Sequence, residues 1–215
     1  MSIQEGVIKF DLAFRPGPAP TAELLCELEA WRRIFRQLGL LGQHPARYDG
    51  LGFGNLSRRI VNDALVSSFI ISGSQTGALE QLAPKHYVRV AGCDPLNNRV
   101  EASGVIHPSS ESLSHGVLYQ ADPRIDWVMH LHSPEIFAAR SQLRLPVTDP
   151  EAPYGSPAMA AEISRLCRMA GWPGLLVMGG HEDGILVFGA TAAETGAQVV
   201  CTLAAALSLQ AVASQ

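Results

Sequence analysis

Lysine is almost missing from this 215-residue chain, Lys9 and Lys85 being the only two. No run of Lys and Arg occurs, and the formal net charge is -4. Both features argue against the clustered basic surface that nucleic acid or an anionic membrane recruits. Lys85 lies in Ala83-Pro84-Lys85-His86, a loop-like stretch with no strand to hold an imine-forming lysine. Cysteine is scarce too. Cys26, Cys93, Cys167 and Cys201 are scattered, with no C-x-x-C pair, so neither a disulfide framework nor a thiolate zinc site is expected. No stretch of about 18 apolar residues offers a membrane span. The first five residues, Met1-Ser2-Ile3-Gln4-Glu5, lack the basic-then-apolar pattern of a leader. A soluble, cytoplasmic protein is expected.

What is present suits a globular core: 47% of residues are hydrophobic and 17% charged. No linker or repeat interrupts the chain, so residues 21–215 are read as one domain. Residues 1–20 are read as an irregular arm, because Pro16, Pro18 and Pro20 forbid a helix. Thr21 caps a helix whose apolar residues Leu24, Leu25, Leu28, Trp31, Ile34, Phe35 and Leu38 recur at helical spacing, up to Gly39. A glycine-rich turn (50–54) precedes Asn55-Leu56-Ser57-Arg58-Arg59-Ile60-Val61. Short strands follow at 69–71 and 87–90, then a helix at 109–119, a strand at 125–132, and helices at 134–140 and 157–170. Strands at 175–178 and 185–188 flank a glycine turn, and a helix at 191–213 closes the chain. Strands interspersed with helices and hairpins predict a mixed sheet covered by helices.

Within the strand at 125–132, His130 and His132 are two residues apart. Alternating side chains make the two imidazoles converge, while Trp127, Met129 and Leu131 go to the opposite, buried face. Two convergent imidazoles at a strand end are two-thirds of a catalytic zinc site, and an equally common feature of an ordinary half-exposed strand. His181, in the turn Gly179-Gly180-His181-Glu182-Asp183-Gly184, is the natural third ligand, although a lone histidine there also reads as a hairpin surface residue. Three imidazoles with an open fourth position make a Lewis-acid site. Glu111, in the first turns of its helix, is a candidate fourth ligand, general base or dipole partner, and His115 is on the same face one turn on. Three small polar stretches offer donors for an anion: Gly54-Asn55-Leu56-Ser57, Ser72-Gly73-Ser74-Gln75-Thr76-Gly77 and Ser109-Ser110.

Taken in order, these stretches resemble the class II aldolase/adducin family. The matching blocks are Gly54-Asn55-Leu56-Ser57, Ser72-Gly73 with Thr76-Gly77, and Pro108-Ser109-Ser110-Glu111 with His115. Then come His130-Leu131-His132-Ser133, Ala152-Pro153-Tyr154-Gly155-Ser156, and His181 in its turn. The resemblance spans about residues 21–211 and implies an α/β/α sandwich around a mostly antiparallel sheet. It implies a divalent metal, usually zinc, with Mn²⁺, Fe²⁺, Co²⁺ or Ni²⁺ as alternatives, held by His130, His132 and His181. Glu111 would contact the metal at rest and then act as acid/base, and Asn55, Ser72, Gly73, Ser109 and Ser110 would hold a substrate phosphate. His115 and Tyr154 would stand just behind the site, and the assembly would be a homotetramer with sites between subunits.

The implied reaction is aldolase-type C–C bond cleavage or formation in a small hydroxy-carbonyl substrate, phosphorylated or carboxylated, through a metal-stabilised enediolate. The segment from His132 to Tyr154 is short, with no tyrosine before Tyr154, and the tail from Ala204 has none. The family's sugar-phosphate aldolases take catalytic tyrosines from both places, so dehydration, epimerisation or decarboxylation at the same metal stays open. A zinc hydrolase with Glu111 as base, and a non-catalytic assembly module like the adducin head, are the readings of other classes.

Overall fold

The computed structural model describes residues 6–60 and 68–213. In chain order its elements begin with β1 (Asp11–Pro16), α1 (Ala22–Gln37), β2 (Gly42–Gln43), β3 (Gly52–Phe53), β4 (Asn55–Arg59) and β5 (Phe69–Ser72). They continue with β6 (Tyr87–Asp94), β7 (Arg99–Gly104), α2 (Ser112–Ala121), β8 (Trp127–His132), α3 (Pro134–Ala139) and α4 (Pro157–Cys167). The last are β9 (Gly174–Val177), β10 (Gly184–Gly189) and α5 (Ala192–Ala213). Eight strands pair in the order β1-β7-β6-β5-β4-β8-β10-β9, and β2 and β3 form a separate ribbon. Every neighbour in the large sheet is antiparallel except β1 beside β7.

Helices cover both faces because the central strands are apolar on both. Val128, Leu186 and Phe188 pack with Leu113, Val117 and Leu118 of α2 and Met159, Ile163 and Leu166 of α4. Their alternates Met129, Leu131, Ile185 and Val187 pack with Leu25, Leu28 and Phe35 of α1, Ile136 of α3 and Val199 and Ala206 of α5. Strict alternation along β8 and β10 thus feeds two cores on opposite sides of one sheet, which is the expected α/β/α sandwich.

Several expectations are corrected. The segment read as an irregular arm supplies β1: its prolines exclude a helix but not an edge strand, and Pro16 ends the pairing opposite Gly104. Strand β7 has no counterpart among the expected elements, although Val100 and Ala102 alternate inward against exposed Arg99 and Glu101. Helix α2 starts at Ser112 rather than Ser109, with Glu111 just ahead of it at φ -92° and ψ 7°. The stretch after the glycine-rich turn, to which the sequence pattern assigns no element, forms β4 as far as Arg59, and Val61 lies outside the described residues. Helix α5 is long and apolar enough to cross a membrane by length and composition alone, with 22% of that window buried. Its residues Ala192, Val199 and Ala206 are buried in the α1-side core.

Gly196 lets α5 meet α1, since a Cβ there would lie 2.2 Å from Trp31 Cζ3. Gly196→Val should therefore lower stability by roughly 2 kcal/mol or more through overpacking. Urea unfolding checks this, and an unchanged midpoint would contradict the α1–α5 contact.

Candidate metal centre

Antiparallel pairing brings distant segments to one end of the sheet. The end of β8 lies beside the start of β4, with His130 opposite Asn55, and beside the start of β10, with His132 opposite Gly184. Gly73, just past β5, bridges to Pro108, which brings Ser109, Ser110 and Glu111 to the same end. His130 and His132 continue the face of Val128, and Trp127, Met129 and Leu131 face away, as the alternation predicts. The strand is buried on both faces rather than half exposed.

The three imidazoles meet. His132 Nε2 is 3.1 Å from His130 Nε2 and 3.1 Å from His181 Nε2. The candidate ligand atoms of the three all lie within 4.8 Å of one another. Tetrahedral zinc bound at about 2.0–2.1 Å sets ligand nitrogens roughly 3.3 Å apart, so the spacing suits a single divalent ion. His130 Nδ1 is 3.1 Å from the Ile185 carbonyl oxygen, which accepts only from an N–H. That fixes a proton on Nδ1 and leaves Nε2 as the nitrogen turned toward the cluster. Burial, and then the neighbouring His181 and His130, hold His132 well below its ordinary pKa, so it presents a neutral ring.

Glu111 is 2% exposed. Its Oε2 accepts from Ser114 Oγ at 2.8 Å, and its Oε1 has no hydrogen-bond partner among the described residues. Oε1 is 3.9 Å from His181 Nδ1, so the carboxylate approaches the outer nitrogen of that ring rather than the three Nε2 atoms. A buried, half-satisfied carboxylate beside three converging imidazoles is a donor set that fits a divalent cation. Tyr154, fully buried, stands edge-on to His181 at 4.7 Å between ring centroids. Lys9 Nζ lies over its ring, 3.5 Å from the centroid. His115 is fully buried. Its Nδ1 bonds Ser57 Oγ at 2.7 Å, and the same Oγ meets the Tyr119 hydroxyl at 2.7 Å.

The turn around His181 is glycine-rich for a reason other than ion approach. A Cβ on Gly180 would lie 2.1 Å from the Ala152 carbonyl oxygen, and one on Gly179 2.3 Å from that of Thr148. The turn is thus pressed against the segment that carries Tyr154.

Asn55, Gly73, Ser109 and Ser110 line a common cleft with the loop 74–77. Ser72 is buried at the end of β5, directly behind Gly73, and does not line that cleft. Ser109 Oγ accepts from the Glu111 N–H at 3.2 Å, which leaves its own proton to donate.

Sequence reasoning missed Tyr48. Its hydroxyl accepts from Arg47 at 2.7 Å and donates to Asp183 Oδ2 at 2.8 Å, and its ring stands edge-on to His132 at 4.6 Å. Burial raises its phenol pKa, so it is the neutral donor in that pair. Tyr48 and Asp49 both hold positive φ, 50° and 57°, a strained turn that the neighbouring contacts sustain. Nothing in Arg47-Tyr48-Asp49-Gly50 beyond a turn signal points to this role.

The family model described as Class II Aldolase and Adducin N-terminal domain matches residues 44–209, and the chain belongs to that family. Among curated proteins no sequence matches significantly. Solved structures share the fold. The L-fuculose-1-phosphate aldolase of Thermus thermophilus has 17% identity and a TM-score of 0.63, covering 88% of this chain and 94% of its own. A sugar-phosphate aldolase from Thermotoga maritima has 14% identity and a TM-score of 0.67, covering 89% and 95%. YgbL of Escherichia coli, a putative aldolase/epimerase/decarboxylase, has 20% identity and a TM-score of 0.61, covering 86% of each chain. Proteins of this superfamily are generally enzymes and typically use a divalent metal.

Tyr48→Phe keeps the ring on His132 but removes both hydrogen bonds. It should cost about 1–2 kcal/mol of stability in chemical unfolding. No loss would mean that the Arg47–Tyr48–Asp183 chain does not form in solution.

Proposed function

We propose that the protein is a divalent-metal-dependent, aldolase-type lyase acting on a small hydroxy-carbonyl substrate that carries a phosphate or carboxylate. One observation carries the reading: three buried imidazoles converge by their Nε2 atoms, with the Glu111 carboxylate alongside. His130, His132 and His181 would hold the ion, and zinc suits an all-imidazole set best, with manganese, iron, cobalt or nickel as alternatives. Such an ion supplies Lewis-acid stabilisation of the negative charge that develops on a carbonyl oxygen when a neighbouring C–C bond breaks.

The remaining steps fall to the chain's own side chains. Glu111 moves the proton: one oxygen is anchored by Ser114, and the other is free to accept or return it. Asn55, Gly73, Ser109 and Ser110 anchor the substrate's anionic end in the cleft beside them, with Ser72 supporting that edge from behind, so that binding energy goes into orientation. His115, held by Ser57, and Tyr154, packed on His181, fix the surrounding rings. Dehydration, epimerisation or decarboxylation would use the same residues. A non-catalytic module has no need of three converging imidazoles and a buried carboxylate.

We also read the protein as a cytoplasmic homotetramer with sites between subunits. The four free cysteines and the exposed apolar residues Val200, Leu207 and Val212 on α5 support this.

Purified protein should carry about one divalent metal ion per chain by elemental analysis, and His132→Ala should lose it. Metal retained in that variant would refute the ligand set. Glu111→Gln should keep the metal and lose turnover on whichever hydroxy-carbonyl acid or phosphate the wild type cleaves. Retained turnover would reduce Glu111 to a structural role. Light scattering should report four subunits, and a monomer would contradict sites between subunits.

A further inference from the structure

Among the described residues, no Lys, Arg or His lines the cleft beside the histidines, which offers only neutral donors. The positive charge stands behind it. Arg32, 2% exposed on α1, donates to the carbonyls of Thr76 at 3.2 Å, Leu79 at 2.7 Å and Glu80 at 3.0 Å. Arg36, one turn on, donates to those of Gly77 at 2.6 Å and Ala78 at 3.5 Å. Every carbonyl from Thr76 to Glu80 is thus taken by one of two guanidinium groups.

In a trans peptide the C=O and the following N–H point in opposite directions. Holding the Thr76 and Gly77 carbonyls against α1 therefore turns the Gly77 and Ala78 N–H groups away from α1. Gly77 itself lines the cleft. Gln75 has φ +58°, a left-handed step of the kind that gathers successive N–H groups into an anion-binding concavity. Among the described residues, none accepts from the N–H groups of Gln75, Thr76 or Gly77. The loop has no room to move aside, because a Cβ on Gly77 would lie 2.4 Å from the Gly42 carbonyl oxygen and 2.7 Å from Gly52 Cα. Burying Arg32 carries a desolvation cost, offset by its carbonyl partners and by Glu29 at 3.8 Å.

We propose that Arg32 and Arg36 are positioning residues for an oxyanion bound in this cleft, acting through the loop 76–80 without touching the ligand. The proposal rests on reading the cleft as the substrate's anionic subsite. Helix α1 lies outside the residues matched by the family model, so the support comes from a part of the chain that the family description does not cover.

The test is calorimetric titration of inorganic phosphate into the full-length, metal-loaded protein. Wild type, Arg36→Gln, Arg36→Lys and Arg32→Lys are compared, with metal content and urea midpoint measured on each. Arg36→Gln should weaken phosphate binding about tenfold, as expected for the loss of a charge-assisted bond, with metal content unchanged. Arg36→Lys keeps the charge and one donor and should recover part of the affinity, which a merely structural role would not require. If Arg36→Gln fails to fold, the two lysine variants decide, and each should fall below wild type. Wild-type affinity in every variant would overturn the proposal alone. Silence from the wild type toward both phosphate and acetate would overturn the reading of the cleft, and the proposal with it. Acetate run through the same series separates a carboxylate from a phosphate as the group accepted.

Discussion

The antiparallel seating of β8 between β4 and β10 is the constraint on which the site depends. Because neighbouring strands run in opposite senses, the end of β8 lies beside the beginnings of both partners, with His132 opposite Gly184 and His130 opposite Asn55. The turn that carries His181 precedes β10, and the polar loop that carries Gly73 follows β5, so both arrive at the same end of the sheet. Slipping β8 by one residue would send His130 and His132 to the α1 face and replace them with Leu131. The two apolar cores, each claiming alternate residues of β8, oppose that slip.

This arrangement buries several titratable side chains together. His115, His130 and His132 are fully buried and His181 and Glu111 nearly so. Buried imidazoles are tolerable when neutral and hydrogen-bonded. The Ile185 carbonyl sets the proton position on His130, Ser57 bonds His115, and desolvation keeps His115 and His132 uncharged. Rings kept neutral by their surroundings are also ready to donate lone pairs. The neighbouring cleft is built differently. No charged side chain lines it among the described residues, and the guanidinium groups of Arg32 and Arg36 bond the carbonyls of its loop from the α1 side.

Much of this was legible in the chain. The H-x-H spacing placed two imidazoles on one face because a strand has a period of two, and the structure keeps that face. Helices α1, α4 and α5 and the central strands followed from apolar periodicity and flanking glycine or proline. Other features were not legible. β1 is an edge strand whose Asp11 pairs with the distant Arg99 of β7, and its prolines point only against a helix. Tyr48 reaches His132 by way of a strained turn and a bond to Asp183, 135 residues on, and no local pattern encodes that meeting. The bond from His115 to Ser57 was not legible either, because a helix pattern does not say which neighbour covers a given face.

By itself, then, the sequence determined the periodicities, the breaks between elements and the chemical types available at each position, since these follow from backbone geometry and side-chain chemistry within a few residues. Only the tertiary structure decided that three imidazoles share one point, that Glu111 faces the outer nitrogen of His181, and that five carbonyls of one loop turn toward Arg32 and Arg36. Arg36 and Gly77 are 41 positions apart, and His132 and His181 are 49 apart. Such contacts exist because sheet register and core packing bring the segments together, and nothing local in the chain encodes a meeting over that separation.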